Sequence, residues 1–192
     1  MNTHLLLLIN GWAGNNQLLD DVMLFCAQYL IYGVFALGGI CGLILLFKRQ
    51  WRQVIFLLLT LVVSFGLLRL ANHLYIEARP FTTHHLTQLM THESGQSFPS
   101  DHTTAGCAIA FALLFFSWYK KWGVLALIAS VLVGFARIFC GVHYPLDIAG
   151  GIVTALVGAL IVAIVAGLTR GAKRSRGRGR GRRTRSRHAA AA

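Results

Sequence analysis

Residues 122–169 read WGVLALIASVLVGFARIFCGVHYPLDIAGGIVTALVGALIVAIVAGLT, two long apolar runs joined by a short polar hinge. Each run, 122–144 and 148–169, is long enough to cross roughly 30 Å of hydrocarbon as a helix. A chain in lipid must satisfy its backbone donors and acceptors internally, so helices are the expected form. Three groups break the apolar pattern, Arg137, His143 and Asp147, in the spacing R-x5-H-x3-D. Ionisable side chains are costly at membrane depth and mark a functional site unless a structural partner accounts for them.

Working outward, residues 22–47, 54–76 and 103–119 form three more apolar stretches of sufficient length, the last near the short limit. The expected fold class is all-α, a polytopic membrane helix bundle with five long transmembrane helices. Residues 3–19 are too short and too polar at Asn10, Asn15, Asn16 and Gln17 to cross, and Leu5 to Ile9 suit a short N-terminal interfacial helix. An ordinary soluble domain is excluded by 56% apolar residues, only 12% charged residues and a mean hydropathy of +0.62. The N-terminus lacks the cationic region of a cleavable signal peptide, so the first long span is expected to act as the insertion signal.

The net charge of +12 is unevenly placed. Ten of the 18 basic residues lie in 170–192, which hold no acid, leaving eight bases against six acids in residues 1–169. The expected organisation is therefore a membrane domain, 1–169, and a disordered basic cytoplasmic tail, 170–192, of alternating Arg, Gly and Ser. Such a tail suits anionic lipid headgroups on the inner leaflet. Nucleic acid is not an expected partner, because the tail has no aromatic residues for base stacking.

Lys48, Arg49 and Arg52 lie between the first and second spans, Lys120 and Lys121 between the third and fourth, and the basic tail after the fifth. The positive-inside rule puts all of them in the cytoplasm. The N-terminus, the 77–99 loop and the turn at His143 then fall outside. This sidedness comes from Lys and Arg residues outside the motifs, yet it gathers every motif on one face.

Two further motifs precede the hinge, Arg79-Pro80 and Pro99-Ser100-Asp101-His102. Ser100 is a natural N-cap for the third span, and the amides behind it form an anion site. Guanidinium forks hold phosphate oxygens, one imidazole can attack phosphorus, and a carboxylate four residues on can fix its tautomer. Singly, Arg79 reads as a boundary cation, His102 as a cap and Arg137 as a snorkelling residue. Together they point to a phosphate-ester site. All three prolines, Pro80, Pro99 and Pro145, lie within two residues of a candidate site residue, as a stiff, preorganised site requires.

These segments resemble the signature of the type 2 phosphatidic acid phosphatase superfamily of membrane lipid phosphatases: K-x6-R-P, then P-S-G-H, then S-R-x5-H-x3-D. The likeness covers roughly residues 72–151. It implies that His143 attacks phosphorus to form a phosphohistidine, that Asp147 orients His143, and that His102 protonates the leaving group. Arg79, Ser100 and Arg137 are implied to hold the phosphoryl oxygens. No metal or other cofactor is implied.

Asn72 stands where the first motif has Lys, Asp101 replaces Gly in the second, and Ala136 replaces Ser in the third. The site is thus one cation short, and Arg69, one turn from Asn72, is expected to replace it in part or else to pair with Glu77. Asp101 favours the helix dipole and is expected to point away from the phosphate. The P-S-D-H form, H-Y-P-L-D and the start Ile9-Asn10-Gly11-Trp12-Ala13-Gly14 resemble the bacitracin-resistance branch, which are bacterial undecaprenyl-diphosphatases. That branch implies hydrolysis of a polyprenyl diphosphate lipid at the extracytoplasmic face of the bacterial plasma membrane, recycling the peptidoglycan carrier. Alternatives are another lipid phosphate (phosphatidylglycerophosphate, phosphatidate or lipid A), a lipid phosphotransferase, or a silent scaffold, against which the intact His102, His143 and Asp147 argue.

His84, His85, His92 and Glu93 match no metal spacing and read as solvated loop residues at the substrate's way in. Cys26, Cys41, Cys107 and Cys140 read as small hydrophobes. Gly38 and Gly42, and Gly151, Ala155, Ala159 and Ala163, are small residues at four-residue spacing that suit close helix contact.

Overall fold

The computed structural model describes the backbone of residues 2–189 and side chains through residue 168. The basic tail, expected to be disordered over 170–192, therefore lies outside the described side chains. Among the described residues the helices are α1 (Asn2–Asn10), α2 (Gln17–Gln28), α3 (Leu30–Phe47), α4 (Trp51–Leu74), α5 (Pro80–Thr83), α6 (Asp101–Phe116), α7 (Lys120–Phe139) and α8 (Pro145–Ala189). No strand occurs among them, only an isolated bridge between Ala78 and Gln96. The all-α expectation holds.

Four segments are long and apolar enough to cross a membrane: Gln17–Phe47, Trp51–Leu74, Lys120–Phe139 and Pro145–Leu168. They make the chain a multi-pass membrane protein. The expected third long span is instead the 16-residue α6. At about 1.5 Å per residue, a helix of that length falls short of the hydrocarbon thickness. Its position explains the shortfall: every residue from Thr103 to Leu113 is buried, with α3, α4, α7 and α8 packed around it. Protein, not lipid, is its solvent.

Small residues make that packing possible. A Cβ on Gly106 would collide with Ser130 of α7, and one on Gly151 of α8 would meet the Ser100 carbonyl at 3.1 Å and Thr104 Oγ1 at 3.1 Å. Ala155 and Ala159 of α8 are fully buried against Cys107, Ala108 and Phe111. Gly38 abuts Ile109, whereas a Cβ on Gly42 would meet nothing within 4 Å, so only half of that expected pair packs. The outer faces carry apolar side chains in the open, with Val62 67%, Ile128 61% and Ile164 63% exposed. A belt of this kind is stable in lipid and would aggregate in water.

The first span begins at Gln17 rather than the expected 22, capped by Asn16, whose side chain accepts from the Leu19 amide at 3.1 Å. It breaks at Tyr29, between α2 and α3. There the Ala27 carbonyl accepts a bond from Arg137 Nη1 at 3.2 Å, a side chain entering the helical ladder. The α3–α4 turn closes with Gln50 N–H donating to Leu45 O at 2.9 Å and Arg49 N–H to Leu46 O at 2.9 Å. Arg49 takes the left-handed conformation (φ 55°) that this helix ending needs.

Helix α1 lies across the end of the bundle, with Leu6 fully buried beside Ile138, Tyr144 and Ile148. Asn10 at its C-terminus is a lock. Its Nδ2 donates to Thr87 O at 2.9 Å and to Phe139 O at 2.8 Å, and its Oδ1 accepts from the Thr87 amide at 3.0 Å. The lock needs Gly141, which turns the chain out of α7 at φ +77°, with its Cβ position 3.3 Å from Asn10 Nδ2.

Candidate active site

The C-termini of α4 and α7, the N-termini of α6 and α8, and the loop from α4 to α6 meet at one end of the bundle. Lys48, Arg49, Lys120 and Lys121 belong to the turns and helix starts at the other end.

Pro145 occupies the first position of α8, where its missing N–H costs nothing, and this places Asp147 in the first helical turn. Asp147 Oδ2 accepts from the Tyr144 amide at 2.7 Å, closing the helix start as an acidic capping group should. The same oxygen lies 3.0 Å from His143 Nδ1 and accepts from Ser97 Oγ at 2.5 Å. Both side chains of this His143–Asp147 contact are buried.

On the other side of the ring, His143 Nε2 lies 3.3 Å from Arg79 Nη1, which also donates to the Val142 carbonyl at 3.3 Å. A guanidinium can only donate, so Nε2 carries its lone pair and the proton resides on Nδ1, facing Asp147. Burial, then Arg137, Arg79 and His92, hold the His143 pKa well below the usual imidazole range. The ring is a neutral base at neutral pH. Burial likewise lowers Arg79, opposed by Asp101 and Asp147, and raises Glu77, with Asp147 adding to the rise.

Arg137 is only 1% exposed, so it is no snorkelling residue. Besides Ala27 O, its guanidinium contacts His92, with Nη2 2.7 Å from His92 Nε2. The Nε atoms of Arg79 and Arg137 are both buried without a hydrogen-bond partner. Two positive forks thus hold unused donors beside a neutral imidazole.

Ser100 caps α6 as expected, accepting from the Thr103 amide at 3.4 Å and from Thr103 Oγ1 at 3.2 Å. Its own amide donates to the Asp147 carbonyl at 3.1 Å, tying the start of α6 to the start of α8. The adjacent Phe98–Pro99 peptide is cis. His102 lines a cleft of about 390 Å³ with His92, Arg137, Tyr29 and Tyr32. A separate cleft of about 430 Å³ is lined by Arg69, Asn72, His73, Arg79, Gln96 and Asp101.

The structure therefore gathers Arg79, Ser100, Arg137, His143 and Asp147 into one buried group. His102 reaches it through the first cleft, and Arg69 and Asn72 through the second. Asp101, expected to turn away, instead lines the Arg69 cleft. Its charge opposes the burial of the Arg79 guanidinium there. Ala136 is fully buried among Ala13, Cys26, Ala27 and Phe139, an apolar setting.

Two contributors escaped the sequence reading. Ser97 fixes the Asp147 carboxylate, and nothing about one serine in a long loop foretells that. His92, read as solvated, contacts Arg137 and sits with its ring 6.4 Å from that of His143. His84 instead stands edge-on to Tyr144 at 6.2 Å, so the loop histidines are split between different tasks.

A PAP2 superfamily family model matches residues 53–170, well over half the chain. The chain belongs to the PAP2 superfamily. Among relatives of this PAP2 protein, the undecaprenyl-diphosphatase BcrC of Bacillus subtilis is 36% identical over 161 residues, covering 82% of this chain and 80% of the relative. The putative undecaprenyl-diphosphatase YbjG of Escherichia coli is 32% identical, covering 82% and 79%. The crystal structure of Aquifex aeolicus LpxE superimposes with a TM-score of 0.68 at 26% identity, covering 84% of this chain and 94% of that one. The named relatives are phosphatases, and the chain is an enzyme of that kind, a hydrolase acting on phosphoric anhydrides or esters.

Proposed function

We propose that this PAP2 protein hydrolyses undecaprenyl diphosphate to undecaprenyl phosphate and inorganic phosphate, through a phosphohistidine on His143. The observation that carries the chemistry is the orientation of His143, with Nδ1 held by Asp147 and the Nε2 lone pair turned toward Arg79. The names of the relatives BcrC and YbjG support the choice of lipid.

In this reading Nε2 attacks the terminal phosphorus, and the bond from phosphorus to the bridging oxygen breaks. The lipid monophosphate leaves, taking a proton from His102 when it needs one. Arg79, Arg137 and Ser100 hold the equatorial oxygens as charge develops, the guanidinium groups through the Nε donors otherwise unpaired. Water then attacks phosphorus, His102 accepts its proton, and cleavage of the N–P bond returns neutral His143 and phosphate. Arg69 and Asn72, from their own cleft, supply positive field and a hydrogen bond in place of the family lysine.

We place the chain in the bacterial plasma membrane with five crossings, α6 being the enclosed third, and α1 in the outer interface. The basic turns at the end opposite the site support an extracytoplasmic active centre, where spent carrier lipid is released. The 170–192 tail would rest on anionic inner-leaflet headgroups.

The test offers purified protein, in detergent with EDTA, undecaprenyl diphosphate, phosphatidylglycerophosphate, phosphatidate and a lipid A phosphate in parallel. Phosphate release should be fastest from the diphosphate and lost in His143→Ala. Faster release from a monoester, or transfer to a second lipid instead of water, would overturn the substrate assignment.

A further inference from the structure

Arg137 is a donor-only group, so the His92 Nε2 that lies 2.7 Å from its Nη2 must be an acceptor. The proton of that ring is then on Nδ1, which lies 3.3 Å from the Glu93 carbonyl and donates to it. Geometry alone thus fixes His92 as a neutral imidazole presenting a lone pair to a buried guanidinium. A phosphoryl oxygen presents the same thing. Arg137 has already committed Nη1 to the Ala27 carbonyl, while its Nε is buried and unpaired. A two-point grip on phosphate through Nε and Nη2 needs the position beside Nη2 that His92 holds.

Resting on the function proposed above, we propose that His92 is a stand-in for a substrate phosphoryl oxygen: it keeps Arg137 paired and aimed, and must turn aside when lipid phosphate takes its place. The segment that carries it can allow this. It is fastened at one end by Asn10 to Thr87 and at the other by Ser97 to Asp147 and to the Glu77 carbonyl, neither of which involves His92. The 390 Å³ cleft beside the ring, bounded by Gln28, Tyr29, Tyr32 and Thr91, gives it room to rotate. His92 is a positioning and specificity element, since a weakly bound anion must compete with it and a substrate gripped at several points displaces it.

The device responds to pH with a definite sign. The charged and titratable groups facing His92 are Arg137 on α7, His102 on α6, Arg79 and Glu93 in the loop, His143 in the hinge, and Tyr29 and Tyr32 from the α2–α3 side. Burial, Arg79 and Arg137 lower its pKa, against Glu93, so the neutral form persists below the ordinary histidine range. Protonation removes the lone pair and sets cation against cation, which releases Arg137.

The experiment measures product inhibition by inorganic phosphate, with the lipid diphosphate as substrate, and in parallel titrates phosphate into the same proteins calorimetrically. His92→Ala should bind phosphate roughly fivefold more tightly and show a KM lowered to match, as loss of one competing hydrogen bond implies. His92→Gln restores an acceptor oxygen and should return both values toward wild type. On acidification the wild type should converge on His92→Ala, and His92→Gln should not. Unchanged or weaker phosphate binding in His92→Ala would overturn the inference, making His92 a phosphate ligand or a loop anchor. If His92→Ala melts early, His92→Gln against His92→Met, similar in bulk but a weak acceptor, carries the comparison. A wild type that binds phosphate but releases none from the diphosphate would refute the proposed reaction instead.

Discussion

His143 has two ring nitrogens and two different neighbours, and most of the chemistry follows from that difference. Asp147→Asn keeps the shape but removes the charge that selects the Nδ1–H tautomer, so kcat should fall by roughly a thousandfold or more, as in other His–Asp pairs. Ser97→Ala removes one of the three contacts to Asp147 Oδ2 and should cost roughly tenfold in kcat, in proportion to one charge-assisted hydrogen bond, with little change in KM. Rates of phosphate release check both. For His102→Ala, hydrolysis of a lipid monoester should suffer more than that of a diphosphate, whose phosphate leaving group has a pKa near about 6; equal losses would contradict the acid role. Stability carries a pH signature too. The folded His143 binds its proton only well below the unfolded value of about 6.5, so below that pH the unfolded chain holds more protons and stability falls as pH drops. Melting temperature in detergent should decline between about pH 6.5 and 5, and His143→Gln should flatten the decline. The His143–Asp147 pair was legible because four residues of spacing and a helix start fix it locally. Ser97 and His92 were not, since their partners are distant in sequence and only the folded loop introduces them.

At the scale of elements, the loop between α4 and α6 is held by a residue at the far end of the chain. Asn10→Ala would strand the Thr87 amide, the Thr87 carbonyl and the Phe139 carbonyl, a loss of about 2 kcal/mol or more. The expected result is faster proteolysis within residues 84–98 at unchanged helix content by circular dichroism. Gly106→Val should be worse for the bundle, because its Cβ meets Ser130 in a fully packed core, and overpacking costs about 1–3 kcal/mol. Thermal melts compare the two. Apolar length revealed most of the spans and the Ser100 cap, since both are local. It read the third as short, at 103–119, but not why, because enclosure by four neighbours, which lets α6 be short, leaves no mark on hydropathy. Spacing likewise could not separate Gly38, packed on Ile109, from Gly42, which faces outward.

For the whole molecule, the candidate site lies at one end and the basic turns at the other, and the proposed sidedness rests on that polarity. All four native cysteines are buried and free, so a new surface cysteine has little background. In intact cells, Gln88→Cys should react with an impermeant maleimide, and Arg49→Cys should react only after lysis. The reverse pattern would put the site in the cytosol. Charge placement made this expectation readable from sequence, whereas the two clefts that flank the buried group required the fold. The most direct test remains chemical. Wild-type protein mixed rapidly with diphosphate lipid labelled in its terminal phosphate, quenched in base and digested, should yield one phosphoryl group on the peptide's His143. Full turnover with no such adduct, or an adduct on His102 or His92, would contradict the account.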